Sequence, residues 1–80
     1  MKSIQQLIET VFDETGIAPE LHIMLTEAGW CAKIVDEGMV LLCAAGEYFL
    51  VANGYATVEA ALTELDRIAE QGFRLAAEYR

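Results

Sequence analysis

The chain has 80 residues, 55% of them hydrophobic, and thirteen acidic residues against five basic ones give a net charge of −8. That length reads as one compact domain over residues 1–80, with a core of modest capacity. An acidic balance of this size argues against direct binding to nucleic acid, which requires a basic footprint. No apolar run approaches the roughly 20 residues that span a bilayer, so no membrane association is expected. Met1 and Lys2 lead straight into an amphipathic segment, which reads as no signal peptide. Two cysteines are too few for a disulfide scaffold, and the chain is expected in a reducing cytoplasm.

The first predicted element is a helix. Ile4, Leu7, Ile8, Val11 and Phe12 recur on one helical face, with Gln5, Gln6, Glu9, Asp13 and Glu14 on the other. Ser3 reads as its N-cap, with Gln6 completing a capping box. Gly16 ends it, and Pro19 prevents its resumption.

Strands follow. Leu21, Ile23 and Leu25 alternate with His22, Met24 and Thr26, and Thr26-Glu27-Ala28-Gly29 reads as a turn. Trp30 to Val35 is the second strand, Asp36-Glu37-Gly38 a hairpin loop, and Met39 to Ala45 the third strand. After Gly46-Glu47, Tyr48 to Ala52 is either a fourth strand or the continuation of a bent third one, broken by Asn53-Gly54. A second helix starts at the N-cap Thr57, with Glu59 in its first turn and Ala61, Leu62, Leu65, Ile68 and Ala69 as its stripe. Gly72 ends or kinks it, and Phe73 to Tyr79 reads as a short helical continuation. The expected fold is α+β: an antiparallel sheet of three or four strands with two helices on one face, in the order α-β-β-β(-β)-α.

Hairpin register assigns the two faces of the sheet. A loop at Asp36-Glu37-Gly38 sets Val35 opposite Met39, Lys33 opposite Leu41 and Cys31 opposite Cys43. Trp30, Ala32, Ile34, Val40, Leu42, Ala44, Phe49 and Val51 then face the helices, and a four-residue first turn adds Leu21, Ile23 and Leu25. The outer face holds His22, Met24, Cys31, Lys33, Val35, Met39, Leu41, Cys43, Tyr48 and Leu50, with Ala52 also outside. It is largely apolar, so it is expected either to form a homodimer or to be covered by the chain after Gly72; Met24, Lys33, Val35, Leu41 and Tyr48 are its candidate interface residues. A one-residue slip would exchange the two faces.

Catalytic chemistry finds little support. His22 is the single histidine and Ser3 the single serine, which stands at a cap. Cys31 and Cys43 lack both the spacing and the partners of a zinc site. Opposed on adjacent strands, with Cα atoms roughly 4.5–5.5 Å apart, they are within reach of a disulfide, although two reduced thiols acting as small hydrophobes is the simpler reading. The carboxylates sit at turns and on helix faces, and the glycines stand singly, so no phosphate loop is present. Neither an enzyme, nor a cofactor, nor a metal site is expected.

The acidic residues are unevenly placed. Asp13, Glu14 and Glu20 gather around the end of the first helix, and Asp36, Glu37 and Glu47 at hairpin loops, whereas Arg67, Arg74 and Arg80 come late. Glu70 and Arg74 have the spacing of a helical ion pair. The acidity has two readings: it keeps an oily chain soluble, or it engages a basic partner. In outline, helix, antiparallel sheet and the alanine-rich stretch Thr57 to Ala69 resemble the double-stranded-RNA-binding domain. Glu59 and Glu64 stand where that family is basic, so RNA binding does not carry over. Gly54-Tyr55-Ala56-Thr57-Val58-Glu59-Ala60-Ala61-Leu62 resembles the strand-to-helix junction of HicB-type antitoxins. In size, acidity and lack of catalytic groups, the whole chain is similar to small phage-encoded anti-CRISPR proteins. That resemblance implies a stoichiometric inhibitor of a basic, nucleic-acid-handling complex, such as a type I CRISPR surveillance complex whose access to DNA it blocks. The alternative is an antitoxin-like or dimerising regulatory module.

Overall fold

The computed structural model describes residues 3–36, 42–44 and 49–75; the side chains of Ser3 and Leu75 are not among them. The order is α1 (Ser3–Thr15), β1 (Glu20–Thr26), β2 (Gly29–Val35), β3 (Leu42–Ala44), β4 (Val51–Tyr55), α2 (Val58–Glu70) and β5 (Phe73–Leu75). The α+β class and the two helices match the sequence reading. A three-stranded antiparallel sheet, β1-β2-β4, is joined by a two-stranded one, β3-β5.

Both helices form for the reasons their sequences give. In α1, Leu7 and Val11 are buried and Ile4 and Ile8 partly so. In α2, Thr57 has extended backbone and its hydroxyl accepts from the Ala60 amide at 3.1 Å, so the predicted cap is present. Ala61, Leu65 and Ala69 are its buried stripe. The amides of Gln71 and Gly72 turn back to the carbonyls of Ile68 and Ala69, closing the helix. The expected helical continuation is therefore replaced: Phe73–Leu75 is a strand antiparallel to Leu42–Ala44, with Ala44 opposite Phe73 and Cys43 opposite Arg74. Arg74 thus stands in a strand, and its helical spacing from Glu70 does not apply. Phe73 packs against the helix-side core.

The sheet pairs differently from the hairpin reading. β2 lies between β1 and β4, not beside β3. Cys31 faces Asn53 on β4 and Met24 on β1, so Cys31 and Cys43 are not an opposed pair; both are buried free thiols. The face of β4 is also inverted. Leu50 and Ala52 are in the core and Phe49 is 48% exposed, the outcome of a one-residue slip. Asn53-Gly54 does not end the strand. Gly54, at φ +90°, is the extra residue of a bulge where the β2 register shifts between Trp30 and Cys31, and β4 runs on to Tyr55. Opposite the bulge, Gly29 has φ +134°, and a Cβ there would lie 2.9 Å from the Tyr55 carbonyl oxygen, so only glycine fits without a shift.

The core joins α1, α2, β2, β3 and β4 through Leu7, Val11, Ala32, Ile34, Leu42, Ala44, Leu50, Ala52, Ala61, Leu65 and Ala69. α2 lies across β2 and β4, and α1 packs on α2. No β1 residue belongs to this core. Leu21, Ile23 and Leu25 do share the helix-side face, opposite Ile34, Ala32 and Trp30 across a tight turn. The helices stop short of them, however, leaving them 38%, 43% and 65% exposed rather than inside.

One long-range bond caps the first turn of α1. The amide of Ile4, in the first turn of α1, donates to Asp66 Oδ1 on α2 at 3.1 Å. This brings a carboxylate to the positive end of α1 and ties the two helices together. The capping role read for the Ser3 side chain falls outside the described residues.

Candidate interaction surface

Three of the six acidic residues singled out by sequence lie on one exposed stretch. Asp13 and Glu14 are in the last turn of α1 and Glu20 opens β1, all on the surface. The short connection between them is ordered by Thr15, whose hydroxyl donates to the Val11 carbonyl at 2.8 Å and accepts from the Ile17 amide at 3.2 Å. Glu20 Oε1 lies 2.9 Å from His22 Nε2.

The placement of Asp13 and Glu14 has a cost. The C-terminal end of a helix carries partial negative charge, and cations there are favourable. α1 has no basic residue in its last turn and two acidic ones instead. Each works against the helix by about 0.3–1 kcal/mol. Among the described residues neither makes an ion pair. α2 shows the opposite arrangement, with Glu59 in its first turn and Arg67 in its last. There Arg67 Nε donates to Glu64 Oε1 at 2.9 Å, and this bond holds the Glu64 carboxyl below its ordinary value and the Arg67 guanidinium above its own.

Apolar groups border the acidic stretch. Phe12, expected on the buried face of α1, is 51% exposed, and Ile17 is 37% exposed. Phe12 and Ala18 flank an open hollow of about 450 Å³ that Ile8, Glu9 and Asp13 complete. A second groove, about 550 Å³, runs between the helices, with Glu9, Asp13 and Glu70 at its lip and Leu7 and Phe73 in its floor.

The remaining candidates are dispersed or outside the described residues. Asp36, read as a solvent-facing loop residue, is fully buried, and neither carboxylate oxygen accepts a hydrogen bond among the described residues. It is therefore not part of an acidic contact surface. Glu37, Leu41, Glu47 and Tyr48 lie outside the described residues. Of the outer-face candidates, Val35 is 1% exposed and cannot offer an interface, Lys33 is half-buried, and Met24 is 37% exposed. Among the described residues no group of three or more His, Cys, Asp or Glu is placed to hold a metal ion, and no helix is long and apolar enough to cross a membrane.

Sequence reasoning missed Asp66 and the uncovered side of β1. Asp66 looks like any surface carboxylate, and nothing nearby in sequence marks Ile4 as its partner. The alternation of β1 is that of a half-buried strand, and alternation does not say where a covering helix ends. No protein-family model, curated protein or solved structure matches the chain.

Proposed function

We propose that the protein is a stoichiometric binding inhibitor whose acidic surface at Asp13, Glu14 and Glu20 engages a basic, nucleic-acid-handling protein or complex. The observation that carries this reading is the pair of carboxylates at the wrong end of α1. Acidity kept only for solubility has no reason to sit where it destabilises the helix; acidity kept for a partner does. Phe12 and Ile17 beside the cluster add apolar contact, as the centre of a protein interface requires. A type I CRISPR surveillance complex, with its basic path for DNA, is one partner of this description, and occupying that path would block DNA access. No catalytic step is needed for such an action.

The test uses a purified type I surveillance complex as the probe, at low and high salt, with and without target DNA. Binding is expected to be salt-sensitive and displaced by DNA. Reversing Asp13, Glu14 and Glu20 together to lysine is expected to weaken it by orders of magnitude while the fold is retained, because exposed charges contribute only about 0–1 kcal/mol each to stability. Salt-insensitive binding that DNA does not displace and the triple variant keeps would overturn the reading.

A further inference from the structure

The outer edge of β1 from Leu21 to Leu25, unpaired among the described residues, is left unused by the proposed inhibitor reading. The Ile34 amide donates to Leu50 on the β4 side at 3.0 Å. Backbone groups of one strand residue point to the same side, so Leu21 and Ile34 form a non-hydrogen-bonded pair. By alternation the N–H and C=O groups of Leu21, Ile23 and Leu25 all point away from β2. Among the described residues no strand takes them up. Proteins usually blunt such an edge with lysine, proline or a bulge. From Leu21 to Thr26 there is neither lysine nor proline, and the β1–β2 register is unbroken.

We propose that β1 pairs with β1 of a second copy, antiparallel, about a two-fold axis at Ile23. The strand is close to self-complementary in that register. Ile23 meets Ile23, Leu21 meets Leu25, His22 meets Met24, and Glu20 meets Thr26, so no like charges are opposed. Ile23 with its counterpart, and the two Leu21–Leu25 pairs, are all hydrogen-bonded pairs, using every outward backbone group of the three residues. The same residues carry the exposed apolar side chains on the helix side, which become one continuous strip at the centre of a six-stranded sheet. The occupant is a second copy rather than an unrelated strand because the apolar pattern of Leu21, Ile23 and Leu25 reads the same from either end and the register opposes no like charges.

The inference is tested without any partner, so its failure is separable from that of the inhibitor reading. Sedimentation of the full chain over a range of concentrations is expected to give twice the 8.8 kDa chain mass. The association should strengthen with salt, which screens repulsion between two chains of charge −8, the reverse of the expected partner binding. Ile23→Lys sets two like charges at the axis and should give a monomer with unchanged circular dichroism. Ile23→Cys should cross-link under mild oxidation, since hydrogen-bonded pairs hold Cα atoms about 5.5 Å apart, within disulfide range. Leu25→Cys should not, because its symmetry mate lies roughly 14 Å along the strand. A monomer at every concentration and salt, or cross-linking by Leu25→Cys as fast as by Ile23→Cys, would overturn the pairing.

Discussion

Asp66→Ala probes the bond that joins the two helices. The carboxylate accepts from the Ile4 amide, one of the four first-turn donors that α1 cannot satisfy itself, at 3.1 Å in a partly buried setting. A hydrogen bond to a charged group contributes about 1.5–3 kcal/mol when buried, and loss of a helix cap costs about 0.5–2 kcal/mol. These describe the same contact and do not add. Partial exposure places the expected loss near 1.5 kcal/mol. For a domain of this size each kcal/mol moves Tm by about 4–8 °C, so Tm should fall by roughly 6–12 °C. Asp66→Asn keeps an acceptor and removes only the charge at the positive end of α1, so it should cost about 0.3–1 kcal/mol, less at high salt. Thermal and urea unfolding of both variants supply the numbers. A loss below about 0.3 kcal/mol for alanine, or equal losses for alanine and asparagine, would refute the assignment.

Two further substitutions test buried features. Asp36→Asn removes a buried carboxylate that accepts no hydrogen bond among the described residues, and should raise stability by about 1 kcal/mol or more by urea unfolding; a loss would mean that the carboxylate is paired. Gly29→Ala should cost about 1–3 kcal/mol, because its Cβ would press on the backbone of Gly54 and Tyr55 at a positive φ; wild-type stability would show that the bulge yields freely.

The helices were legible because their evidence is local. A 3.6-residue stripe and the Thr57 cap both lie within a few residues of what they determine. The sheet was legible only as alternation. Which strand lies beside β2 is a question about residues some twenty apart, and the nearest candidate, β3, was the wrong one. That single substitution of partner separated Cys31 from Cys43 and exchanged Leu50 and Ala52 with Phe49 and Val51. Asp36 misled for a different reason. An acidic residue two places before a glycine has the composition of a loop, and composition does not report burial. Of the candidate surface, the acidic end of α1 could be read from charge placement alone, whereas the bare face of β1 depends on how far the helices reach.

The pairing of β3 with β5 imposes an order on how the chain matures. Leu42 and Ala44 are core residues, yet the strand that flanks them is made only after β4 and α2. Among the described residues β3 has an early neighbour in Phe49, bridged to Cys43, but its ladder partner lies beyond α2. The contacts that close the fold therefore join the middle of the described chain to its end, and their loop-closure cost must be met before they add stability.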